Sequence, residues 1–338
     1  MKKIVFIFLS MLFAQALSAQ SKTETNDFYD NDSTYNLEIP KLEITGEVAN
    51  AVTVDLSKLP LRSEIVKEAT LNENGDTAFV GAYRYDGYSL YDILNNIILK
   101  KKNEAEFNSI IDLYVEVENA KGDKVVFSWG ELYYPVNRYK IFFATQVARI
   151  VPSKTKDLWP LPTENKLIVA TDLITVRNIS NPTKITVKSY SASIPVNRDL
   201  QDKYAKEITI TKNEKQVDKI SKYPDELKKE DYSTVFYGRG RGIHGISDFK
   251  GAPLKNVLAK YVQLNKNNIQ KGLVVVVGKD GYRCVFTYSE LFNRNDFAET
   301  LLLNRSDDKE NGAFSIFAAS DYFSDRAIKM ISEIRIVE

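Results

Sequence analysis

Two arginines and a histidine share one glycine-rich run, Gly238-Arg239-Gly240-Arg241-Gly242-Ile243-His244-Gly245. Glycines allow positive φ and close backbone approach, and arginines offer forked donors to a carboxylate, sulfate or phosphate. The run therefore suits capture of a small anion by Arg239, Arg241 and His244; it equally suits a flexible basic surface loop. His244 is the chain's one histidine and Cys284 its one cysteine. No nucleophilic dyad, closed zinc, copper or haem site, or internal disulfide can be assembled from them. We expect no catalytic residue and no metal ligand.

The elements that must position this run occur twice. The words following the run and its upstream sibling at 70–94 align from their right-hand ends, Gly87 with Gly251 and Leu90 with Leu254, each 164 residues apart. Leu90, Ile93, Leu94 and Ile97 have the spacing of one buried helical face, repeated by Leu254, Val257, Leu258 and Tyr261. A Gly-centred hairpin follows in each copy and ends in the same kind of word, FSWGEL at 127–132 and FTYSEL at 286–291, offset by 159. The last block, offset by 149, pairs Asp172 and Arg177 with Asp321 and Arg326, which we read as internal ion pairs that fix the closing strand. Blocks recurring in one order, with spacing kept inside each, indicate duplication. The expected organisation is a signal peptide at 1–19, a flexible leader at 20–37, domains at 38–190 and 205–338, and a linker at 191–204. Strands dominate and short helices follow the Gly-x-x-Leu and Glu-Leu words, so the expected class is α+β. Tyr83, Tyr85, Tyr88 and Tyr91 alternate through the first copy, either as half-buried strand residues or as a stacking surface.

Lys2 and Lys3, an apolar run from Ile4 to Phe13 and small residues to Ala19 read as a cleaved secretory signal. No cysteine follows that run to carry a lipid, which points to the periplasm or the exterior. Without the signal the net charge is close to zero, so neither nucleic acid nor membrane insertion is expected.

The order of blocks, a strand pair, aromatic-x-Gly-x-x-Leu, a Gly-centred hairpin, the Glu-Leu word and Asp-x-x-x-x-Arg before a final strand, resembles the molybdopterin-binding domain of the sulfite oxidase family. The resemblance covers most of both copies and implies two tandem, β-rich sulfite-oxidase-like folds. In that family a cysteine in a Thr-Leu-x-Cys type segment binds molybdenum. Aligned on Thr70 and Thr234, Glu73 and Tyr237 stand at that position. Neither replaces a soft thiolate on this metal without changing its chemistry. The resemblance thus implies the fold with a different use, and Glu73 and Tyr237 join the three basic residues as a ligand-binding set. The leading expectation is a secreted, non-catalytic protein that binds a small anionic molecule. The alternatives are a molybdopterin-dependent oxidoreductase with a non-cysteine attachment, and a structural module that contacts an envelope protein.

Overall fold

A computed structural model describes residues 32–72, 74–197, 199–238, 242–307 and 312–338, with backbone only at 243 and 244. The first half carries β1 (Tyr35–Asn36), β2 (Glu43–Gly46), β3 (Val52–Thr53), β4 (Arg62–Leu71), β5 (Thr77–Ser89), α1 (Leu90–Leu94), β6 (Leu113–Asn119), β7 (Lys124–Ser128), α2 (Trp129–Tyr133), β8 (Ile141–Arg149), β9 (Lys166–Val169) and β10 (Pro182–Ser189). The second carries β11 (Ile208–Lys212), β12 (Lys215–Ile220), β13 (Glu230–Gly238), β14 (Gly242–Pro253), α3 (Leu254–Leu258), α4 (Lys266–Lys271), β15 (Leu273–Gly278), β16 (Arg283–Thr287), α5 (Tyr288–Phe292), β17 (Thr300–Asn304), β18 (Phe314–Ala318) and β19 (Ile331–Val337).

This architecture corrects the expectation of two tandem α+β sulfite-oxidase-like folds. Among the described residues 44% are strand and 13% helix, and their four small sheets form a propeller-like ring. The physical reason lies in helix length. Three of the helices at the Gly-x-x-Leu and Glu-Leu words are side-chain capped, Ser89 accepting from the Asp92 amide, Ser128 from the Glu131 amide and Thr287 from the Glu290 amide, while α3 follows Pro253 without such a bond. Each then stops after five residues, and α4 after six. Such short pieces cannot cover a sheet, so sheets cover one another.

One strand order is used twice. β3-β2-β10-β6-β7 in the first half matches β12-β11-β19-β15-β16 in the second, with β2–β10 and β11–β19 parallel. β4-β5-β8, with β9 on β8, matches β13-β14-β17-β18. β1 falls within the expected leader and pairs with β8, Tyr35 opposite Val147. The connecting segment is likewise docked: Ile194 is buried and its carbonyl accepts from Arg283 at 3.0 Å.

The two glycines of the aromatic-x-Gly-x-x-Leu words have one job. A Cβ on Gly87 would sit 2.1 Å from the Phe143 carbonyl oxygen, and one on Gly251 2.3 Å from that of Leu302. Only glycine lets β5 and β14 approach their neighbours this closely. Gly87→Ala is expected to cost about 1–3 kcal/mol or more, measured by urea unfolding, because the strand must move rather than a side chain rotate.

The halves meet through a doubled buried network. Arg177 is fully buried and forks onto Asp172 at 2.8 and 2.6 Å and onto Glu131 at 2.6 Å. Arg326 does the same with Asp321 at 2.8 and 2.6 Å and approaches Glu290 at 2.6 Å. The helix caps then cross between halves: the Ser128 hydroxyl donates to Glu290 at 2.7 Å and the Thr287 hydroxyl to Glu131 at 3.0 Å. The recurring Asp-x-x-x-x-Arg spacing thus builds internal pairs whose carboxylate partners are the glutamates of the Glu-Leu words. Burial raises Asp172 to about 6 against the pull of Arg177.

Candidate functional site

Hairpin register fixes which residues of the two halves correspond. Arg62 lies opposite Gly87 and Glu230 opposite Gly251, so β4 and β13 are offset by 168 although β5 and β14 are offset by 164. Glu68 therefore corresponds to Phe236, and Tyr83 and Tyr85 to Ser247 and Phe249. From the pairs Ala144–Lys166 and Leu303–Ser315, Lys166 corresponds to Ser315 and Gln146 to Arg305. A cleft of about 380 Å³ opens at each of these places, the first lined also by Lys266 and Gln270 of the second half, and both are near the lower end of the range typical of ligand sites.

In the first half the cleft is polar and its central groups satisfy each other. The Glu68 carboxylate is 4% exposed and receives Tyr85 Oη at 3.0 Å, Lys166 Nζ at 2.8 Å and Asn178 Nδ2 at 3.1 Å. Beside it β5 and β8 pair without a gap from Tyr83–Arg149 to Ser89–Phe142, apart from one bulge. The segment 150–165 covers the seam: Tyr83 Oη donates to the Pro160 carbonyl at 2.6 Å, and Arg149 Nε to that of Trp159 at 2.6 Å. Burial pushes the Tyr83 hydroxyl up to about 12, with the Glu68 charge adding to the effect.

The second half keeps the place and inverts its chemistry. Phe236 stands for Glu68, Ser315 for Lys166 and Ala327 for Asn178, so an apolar floor replaces the ion pair. The rings of Phe236 and Phe249 lie 5.2 Å apart, and Phe249 stacks on Phe317 at 3.9 Å. β14 and β17 pair only at Ala252–Leu302 and Pro253–Leu301 among the described residues, and the strands diverge where the first half stays zipped. β17 ends early because the Arg305 amide turns to the Ala313 carbonyl at 2.8 Å. At the rim Arg305 reaches Ser315 Oγ through Nε at 3.3 Å. Among the described residues neither Arg305 nor Lys329 has a carboxylate partner, while Asp248 on the opposite wall accepts from Ser233 at 2.5 Å. Two cations over an apolar floor can hold an amphipathic anion.

The five residues picked from sequence fare differently. Glu73, Arg239 and Arg241 lie outside the described residues, as does the His244 side chain; its backbone belongs to β14. Tyr237 is half-buried in β13, its ring 5.5 Å from Phe323 and 6.0 Å from Tyr322, and it lines a small hollow with Thr234 and Asp321. By register Tyr237 corresponds to Ala69, so it and Glu73 do not occupy matching positions. Tyr83 and Tyr85 are core residues, which removes them from any stacking surface. Sequence reading missed Phe236, Ser247, Arg305 and Lys329. The exchange of Tyr83 for Ser247 and Glu68 for Phe236 was the available signal, and it needs the 168 offset to be seen.

The donors present do not fit a molybdenum–thiolate centre. Cys284 is wholly buried in β16, opposite Val276, and burial drives its thiol well above its ordinary range. No thiol lines either cleft. Among the described residues no group of three His, Cys, Asp or Glu side chains is placed to hold a metal ion, and no helix is long and apolar enough to cross a membrane. Compared with protein-family models the chain finds no match, and compared with curated proteins it finds none either.

Proposed function

We propose that this chain is a non-catalytic, secreted or periplasmic protein that binds a small anion in the cleft of its second half. The observation that carries the reading is the exchange of the buried Glu68–Lys166 pair for Phe236 and Ser315, beside Arg305 and Lys329 without carboxylate partners among the described residues. A site with cations at its rim and no internal anion in its floor is complementary to an external one. The address rests on Lys2, Lys3, the apolar run from Ile4 to Phe13 and the small residues to Ala19.

Calorimetric titration of the secreted protein with acetate, benzoate, sulfate and phosphate tests the reading. At least one anion is expected to bind, and Arg305→Gln with Lys329→Gln to weaken it tenfold or more without lowering the Tm, since both side chains are exposed. Binding that survives the double substitution, or no binding by any of the four, rejects it.

A further inference from the structure

We infer that the second cleft takes a small aromatic carboxylate, its ring seated where the first half places the ring of Tyr83; this rests on the anion-binding reading and narrows it. The two halves supply the comparison. Tyr83 lies opposite Val66 on its hairpin, and Ser247 lies opposite Thr234 on the equivalent one. The Tyr83 ring is 1% exposed, leans on Tyr85 at 5.4 Å, and ends in a hydroxyl bound to the Pro160 carbonyl. The second half builds this wall from different and more apolar side chains, Phe249 in place of Tyr85, Leu303 in place of Ala144 and Phe236 in place of Glu68. It lacks the ring at Ser247, and its connection between β17 and β18 spans only 305–313 where the first half uses 150–165. With serine where the first half has the Tyr83 ring, a cleft of about 380 Å³ lies open beside Phe236 and Phe249.

The walls decide between ligand classes. Phe317 covers one face of Phe249, so an incoming ring meets Phe236 and the open side of the stack, in the offset or edge-on geometries aromatic pairs prefer. Arg305 spends Nε on Ser315 and, among the described residues, has no partner on its two terminal nitrogens, which suit a carboxylate; Lys329 offers a second charge. An aliphatic anion of one or two carbons leaves the phenylalanine floor wet. A neutral arene leaves both cations unused. A phenol- or phenyl-bearing carboxylate satisfies floor and rim together.

The test compares 4-hydroxyphenylacetate with acetate by calorimetry on the full secreted protein. The ring-bearing anion is expected to bind at least tenfold tighter. Ser247→Tyr, which restores the residue of the first half, is expected to remove that advantage while Ser247→Ala keeps it. Ala327→Leu, filling the cleft from the opposite wall, gives a second reading should Ser247→Tyr not fold, which its Tm reports. Equal affinity for the two anions, or undiminished 4-hydroxyphenylacetate binding in the filled variants, overturns the ring assignment and leaves the anion reading standing. Absence of binding by both, with sulfate or phosphate still bound, overturns the ring assignment alone; absence of binding by every anion tried overturns both.

Discussion

Replacing Arg326 with leucine is expected to lower the unfolding free energy by about 3–5 kcal/mol, because it strands two buried carboxylates at once. Asp321 loses both arms of its fork and Glu290 loses its cation, in a place where Arg326 itself is fully buried. Lysine does not rescue the site. It cannot donate in two directions from a planar fork, and the space is cut for a guanidinium: a Cβ at Gly130 would lie 2.4 Å from Arg326 Cζ. The pH dependence separates this cause from a simple cavity. Burial already raises Glu290 above its ordinary value and Arg326 pulls it back. Without the arginine the folded-state value climbs further, so the folded variant binds its proton more tightly than the unfolded chain does. Stability of the variant then rises as pH falls from that raised value toward 4.5, and the deficit against the parent shrinks. A deficit that stays constant from pH 8 to pH 5, in urea titrations at each pH, would falsify the electrostatic account.

Asp112→Asn is expected to be comparably damaging with the opposite pH response. Asp112 is fully buried and faces two cations, Lys101 Nζ at 2.7 Å and Arg283 Nε at 3.3 Å, with Asn103 donating at 3.0 Å. Loss of its charge leaves Lys101 without its carboxylate, and the Lys101 side chain is only 4% exposed. Arg283 retains Glu106 at 3.3 Å and the Ile194 carbonyl. Burial already holds Lys101 below 10.5 while Asp112 lifts it. In the variant it falls further, the unfolded chain binds more protons than the folded one, and stability rises with pH from the lowered value up to 10.5. The slope approaches about 1.4 kcal/mol per pH unit for a full proton. Acid should thus relieve Arg326→Leu and alkali relieve Asp112→Asn. Identical pH profiles for the two would show that packing alone sets both costs.

The parts of this fold that were legible in the sequence are those specified within a few residues. The Gly-x-x-Leu and Glu-Leu words read as helix positions, and short helices form there, capped in the first half by Ser89 and Ser128. Asp172 with Arg177 and Asp321 with Arg326 read as internal pairs and are so. Their glutamate partners were not legible, since Glu131 lies 46 residues from Arg177 and nothing local ties them. The hairpin alignment went wrong between Ser221 and Glu230, where the second copy carries four more residues and alternating strands offer no landmark. Sheet assembly was the largest omission. A helix word does not say that the helix ends after one turn, and no strand states which distant strand it will join. The divergence of β14 from β17, which opens the candidate cleft, is a property of pairing alone, so no local signal marks Arg305 and Lys329.

The parallel joining of β2 to β10, and of β11 to β19, also dictates an order of assembly. Ile44 meets Ile185, and Ile210 meets Ile334, so the first core strand of each half waits for the last before it has this neighbour. A growing chain emerging from the ribosome at about 5–20 residues per second leaves β2 without β10 for roughly seven seconds or longer. Contacts of such long reach also slow folding once the chain is complete. A half that cannot close until its final strand arrives stays open to threading until then, a delay that suits the export we propose for this chain.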